Sequence, residues 1–128
     1  MNKQFKPGGY NSVSPYFIVN GAQRFIDMLK QVFNAKEIRR FTAPDGKIMH
    51  AEIQIDDSII MIADSTDQFH ANKFWMHVYV SDTDKTFNKA ILQGCEPVEK
   101  PGQKEGDPNR RGTFKDFAGN NWSIGTQL

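Results

Sequence analysis

One order of secondary-structure signals is written twice along this chain, and that repetition limits the possible fold more than any other feature. In the first copy, residues 13–19 read as a strand that Asn20-Gly21 breaks. Residues 24–33 then place Phe25, Met28, Leu29, Val32 and Phe33 at the spacing of one helix face. Asn20 is the expected N-cap, and Asn34 the expected left-handed residue at the helix end. Three strands follow, at 36–42, 48–55 and 58–63. Pro44-Asp45-Gly46, whose Asp-Gly pair marks a hairpin, and Asp56-Asp57 separate them. In the middle strand Met49, Ala51, Ile53 and Ile55 alternate with His50, Glu52 and Gln54, so the two sets are expected on opposite faces.

The second copy repeats this order. A strand at 74–80 leads to the cap candidates Ser81-Asp82 and a helix at 84–92, where Phe87 and Ile91 stand as Phe25 and Leu29 do. Gln93-Gly94 closes the helix. A short strand at 96–99, a polar loop at 100–109, and strands at 110–116 and 122–126 complete the copy. The offset is about 61 residues, from Ser14 to Trp75. The fold class is therefore α+β, with tandem βαβββ modules at 13–64 and 74–127 forming one domain, 13–128, behind a polar lead-in, 1–12. The alternative is an α+β sandwich without a repeat.

Bulk chemistry narrows the partners. Lys and Arg number 16 against 15 acidic residues, a formal net charge of +1, which gives no electrostatic reason to expect nucleic acid or an anionic membrane. Cys95 is the single cysteine and cannot form an internal disulfide. Residues 1–7 lack the apolar stretch of a signal peptide, and the longest apolar run, 59–63, is too short to span a bilayer. The Asn121-Trp122-Ser123 sequon is then a chance match, and the chain is expected to be cytoplasmic.

With the doubled order in place, Asp45-Gly46-Lys47-Ile48-Met49-His50-Ala51-Glu52 leading to Ile60-Met61-Ile62-Ala63-Asp64 resembles the PhnB-like branch of the vicinal oxygen chelate superfamily, the glyoxalase/bleomycin-resistance/dioxygenase group. Residues 112–123, Gly-Thr-Phe-Lys-Asp-Phe-Ala-Gly-Asn-Asn-Trp-Ser, resemble that branch's closing hairpin. There Phe117-Ala118 stands where the family usually has Pro-Phe, and extra residues separate Gly106-Asp107 from Arg111-Gly112. The resemblance covers about residues 13–127. It implies a curved, incompletely closed sheet around one cavity, helices outside, and commonly a homodimer. In metal-dependent members the first and last strand of each module supply the ligands. Those positions map to Ser14, Met61, Trp75 and Ser123, separated by 47 residues in one half and 48 in the other. Two serines, a thioether and an indole do not suit a divalent ion, so no metal and no cofactor are expected.

Strand alternation places further side chains with these positions. The expected ligand-binding set is Tyr16, His50, Glu52, Met61, Trp75, His77, Tyr79, Arg111 and Ser123. An aromatic wall with few polar groups suits an aromatic or amphipathic small molecule. The leading reading is a metal-independent binding protein. A lyase or isomerase using His50, Glu52 or His77 as general acid or base is the alternative, and a structural or regulatory protein with a vestigial cavity a third. The same three residues are also the candidates for a displaced metal site, although two histidines on different strands are more often structural. His70 is expected in solvent, Cys95 as a small buried hydrophobe, and the Arg39-Arg40 pair on a solvated strand face.

Overall fold

A computed structural model describes residues 4–128, so the first three residues of the lead-in lie outside the described residues. The first module runs β1 (Tyr16–Val19), α1 (Ala22–Phe33), β2 (Lys36–Thr42), β3 (Ile48–Ile55) and β4 (Ser58–Asp64). The second runs β5 (Trp75–Tyr79), α2 (Thr83–Leu92), β6 (Glu96–Gly102), β7 (Asn109–Lys115) and β8 (Asn121–Gln127). The sheets are ordered β1-β4-β3-β2 and β5-β8-β7-β6. In each, the first strand pairs parallel to the last and the other neighbours are antiparallel. No helix among the described residues is long and apolar enough to cross a membrane.

The apolar stripes explain the packing. Phe25, Leu29 and Val32 of α1 are buried with Ala51, Ile53 and Ile55 of β3, and Phe87 of α2 with Phe114 of β7. The two helices touch. Phe17 of β1 stacks on Trp122 of β8 with ring centroids 5.5 Å apart, and Phe33 lies 5.3 Å from the same indole, so one aromatic core joins the modules.

Local expectations fail in several places, among them β6, which continues to Gly102 through residues expected in a loop. The first strand starts at Tyr16, not at residue 13; Pro15 just before it has no N–H to give a ladder. Asn20 does not cap α1: Gly21 holds the N-cap position at φ 100°, and the carboxylate of Asp64 accepts the Ala22 N–H at 2.8 Å from the end of β4. Asp64 also accepts the Ile48 N–H at 2.7 Å, tying helix, hairpin and sheet together. Met49 is 63% exposed although its strand neighbours Ala51 and Ile53 are buried, because it lies at the start of β3 beside the 43–47 hairpin. By contrast, Asn34 ends α1 at φ 54°, and the side chain of Asp82 caps α2 by accepting the Lys85 N–H at 3.0 Å, both as expected.

Candidate functional site

Register aligns one row of side chains across each sheet, on the face away from the helices. In the first sheet Tyr16 is paired with Met61, Met61 with Glu52, and Glu52 with Arg39. In the second, His77 is paired with Ser123, Ser123 with Thr113, and Thr113 with Glu99. Directly paired residues point to the same side of a sheet. The rows correspond member by member at offsets of 60 to 62 residues, so the sequence repeat is also a repeat of site positions. The register pairs Met61 with Tyr16 and Ser123 with His77; Ser14 lies before the strand, and Trp75 pairs with Asn121 instead.

The first sheet carries a continuous hydrogen-bonded chain. The Tyr16 hydroxyl lies 2.8 Å from His50 Nδ1, and His50 Nε2 lies 2.8 Å from Glu52 Oε2. The Tyr10 hydroxyl donates to Glu52 Oε1, and Arg39 Nε stands 3.9 Å from that oxygen. Glu52 is only 6% exposed. Burial alone pushes its carboxyl upward, but the hydrogen bonds from Tyr10 and His50 and the charges of His50 and Arg39 outweigh this and hold the pKa below its usual value. Burial, then the Glu52 charge, pushes the Tyr16 phenol upward. Tyr10 is pushed upward chiefly because its proton is held by Glu52.

Tyr10 is the residue that the sequence reading missed. It sits in the polar lead-in, which has no periodic signal, and reaches Glu52 only because the chain folds back across the sheet. Asn11 anchors that return: its side-chain oxygen accepts the Ile59 N–H at 3.0 Å and its amide nitrogen donates to Ser14 Oγ at 2.9 Å. Gly9 at φ 82° makes the turn, a backbone state open to glycine.

The second sheet presents a barer face. Trp75 is 69% exposed and Tyr79 64%, with His77 between them meeting Tyr79 edge-to-face at 4.6 Å. His77 Nδ1 lies 3.0 Å from Ser123 Oγ. The imidazole rests on Gly125, where a Cβ would come within 3.3 Å of Cε1. Burial first, and then the charge of Arg111, push the His77 pKa below its usual 6.5. Arg111 Nε donates to Asp107 at 2.7 Å, so this guanidinium already has a carboxylate partner. Trp122, one residue before Ser123, faces the other way and is fully buried, with its Nε1 donating to Asp116 at 2.8 Å.

The structure thus joins Tyr16, His50 and Glu52 in one group, with Met61 beside them in the register, and His77, Tyr79 and Ser123 in another. A hollow of about 790 Å³ opens beside Tyr16, the one member of the first group that lines it. Tyr16, Ile18, Ala63, Met49 and Phe69 line it, and its surface is largely apolar. Of the ligand-binding set expected from sequence only Tyr16 lines it; His50, Glu52, Met61, Trp75, His77, Tyr79, Arg111 and Ser123 do not. A second crevice, about 630 Å³, lies between the modules at the end of α1 and has a more polar wall that includes Lys36 and Lys89.

The four positions that the family resemblance assigns to metal ligands, Ser14, Met61, Trp75 and Ser123, carry two hydroxyls, a thioether and an indole, a poor donor set for a divalent ion. His50 and Glu52 meet, but His77 turns to Ser123, so the three do not form the displaced site considered from sequence. Among the described residues, no three His, Cys, Asp or Glu side chains gather around one point. Cys95 is buried and its thiol is pushed up to about 11, first by burial, which leaves little thiolate for chemistry. His70 is exposed, as expected. Arg39 and Arg40 do more than face water: Arg39 lies over the Phe41 ring beside Glu52, and Arg40 pairs with Glu37 at 2.6 Å.

Comparison with known proteins gives the same architecture. An uncharacterised protein of Mycobacterium bovis is 31% identical over 126 residues, spanning 89% of this chain and 82% of that relative. Among solved structures, TioX from Micromonospora sp. ML1 superposes with a TM-score of 0.73 at 22% identity, covering 92% of this chain and 97% of its own. The fosfomycin resistance protein FosX from Listeria monocytogenes superposes at 0.67 with 16% identity, covering 92% and 93%. The model of the Glyoxalase/Bleomycin resistance protein/Dioxygenase superfamily matches residues 11–124. With the doubled βαβββ order, the paired registers and this match, the chain belongs to the glyoxalase/bleomycin resistance protein/dioxygenase superfamily.

Proposed function

We propose that this protein binds a small aromatic or amphipathic molecule without a metal, on the sheet faces that carry Tyr16, His50, Glu52 and Met61 and Trp75, His77, Tyr79, Arg111 and Ser123. The observation that carries this reading is the hollow beside Tyr16, whose surface is largely apolar and whose volume suits a small ligand. The donor set supports metal independence. Protein stripped with a chelator should bind aromatic compounds with unchanged affinity in a thermal-shift screen, since a ligand raises apparent stability by mass action. Binding lost on chelation and restored by Mn or Zn would overturn it.

The same proposal takes the working form as a homodimer. Trp75, Tyr79, Phe41 and Met49 leave large apolar side chains exposed, and a second copy is the partner that closed two-fold symmetry favours. Light scattering at tens of micromolar should give twice the chain mass; a monomer mass overturns this part. On the motifs at 45–52 and 112–123 we assign the chain to the PhnB-like branch. A second reading, a lyase or isomerase, is favoured by one observation: Tyr16, His50 and buried Glu52 form a chain able to pass a proton. Turnover of a bound compound that disappears in His50→Ala would establish it.

A further inference from the structure

We propose that the crevice between the modules is a second binding site and that it takes a small organic anion, an apolar body carrying a carboxylate. The crevice and the hollow beside Tyr16 share no lining residue, so this inference does not depend on the hollow being occupied. Lys36, at the start of β2, and Lys89, in the last turn of α2, both stand on the crevice wall. Among the described residues neither ammonium is paired with a carboxylate. Thr86 lies three residues before Lys89, on the same helix face, and lines the same crevice. It is only 9% exposed, and its hydroxyl meets no hydrogen-bond partner among the described residues. A hydroxyl buried to this degree is normally bonded, and here only the crevice is left to supply its partner.

The rest of the wall suits an organic body better than a bare ion. Val32 of α1, Ile55 of β3 and Val78 of β5 give it an apolar floor, and Tyr79 an aromatic edge. Charge favours the crevice over the hollow for an anion: the crevice sets two lysines against Asp56, whereas the hollow sets three aspartates against Lys47. The carbonyl end of α1 also borders the crevice and opposes an anion with about half a unit charge. There the Leu29 carbonyl already accepts from the Asn34 and Ala35 N–H groups, and two ammonium groups outweigh one carboxylate and that half charge. A last-turn lysine also suits the dipole of α2, but that role leaves the Thr86 hydroxyl without a partner.

The test compares 2-naphthoate with its neutral counterpart 2-naphthamide on the full chain at low salt, followed by fluorescence. Methyl shifts of Ile55 and Val80 mark the crevice, and those of Ile18 and Ala63 the hollow. At the crevice the acid should bind about tenfold more tightly than the amide, the combined worth of two partly exposed ion pairs, and added NaCl should narrow the ratio. Changing Lys36→Gln and Lys89→Gln together should abolish the preference. Asp56→Asn should strengthen naphthoate about threefold, a gain that no loss of folding imitates, and asparagine tolerates the φ of 50° held there. Equal binding of acid and amide, a preference that survives the double lysine change, or no gain in Asp56→Asn overturns the anion site. Probe shifts confined to Ile18 and Ala63 overturn it as well and leave the hollow reading standing; binding of neither probe at the crevice overturns it outright.

Discussion

The two sheets share one register, yet their outward faces have different chemistry. At corresponding positions the first sheet has Glu52 where the second has Thr113, and Tyr16 where the second has His77. The first face is covered by the returning lead-in and holds a buried carboxylate in a closed hydrogen-bond chain. The second has no such cover, and its Trp75 and Tyr79 stand in the open. A duplicated fold thus fixes where side chains point but not what surrounds them: the returning polar lead-in is enough to separate the two environments.

The contrast breaks hardest inside the core. Trp122→Ala should cost about 3 to 5 kcal/mol by urea unfolding, because it empties the junction where both modules meet. Trp75→Ala, on the open face, should stay within about 0.5 kcal/mol. Equal losses in the two variants would mean that the inside and outside faces are exchanged.

Next in size is the Glu52 chain. Replacing Glu52 with Ala should cost about 1 to 3 kcal/mol, since Tyr10 and His50 lose their partner, while Thr113→Ala in the matching position should change little. A carboxyl whose folded pKa is depressed contributes its stability above the ordinary glutamate range and loses it as pH falls through the folded value. Urea midpoints should therefore fall less steeply toward acid in Glu52→Gln than in the unmodified protein. Parallel pH profiles would show that Glu52 is not held as described. Tyr10→Phe sharpens the comparison, because it removes one hydrogen bond of the cover and leaves the second sheet untouched; about 0.5 to 1.5 kcal/mol is expected from urea unfolding, and no loss would detach the lead-in from the site.

The smallest effect concerns the open face. The charge of Arg111 helps to hold His77 below 6.5, so Arg111→Ala should move the imidazole titration upward when followed by NMR. The sign for stability follows: a histidine depressed in the folded state favours folding at neutral pH and loses that contribution as pH falls through its folded value. A titration that stays put or moves down in Arg111→Ala would remove Arg111 from the electrostatics of this face.

The sequence by itself determined the order of elements and which way most strand residues point. Helix periodicity at Phe25, Leu29 and Phe33, the Asp45-Gly46 hairpin and the 61-residue offset are local signals, set by spacing that backbone geometry enforces, and the opposite facing of Trp75 and Trp122 follows from strand parity about that offset. Only the tertiary structure decided that Glu52 is buried, that Tyr10 covers it, and that Asp64 rather than Asn20 caps α1. Each of these depends on a contact between residues far apart in the chain, 42 positions for both Tyr10 to Glu52 and Ala22 to Asp64. Alternation says which face a side chain takes; what lies on that face, water or a returning segment, is set by long-range packing that no local pattern encodes.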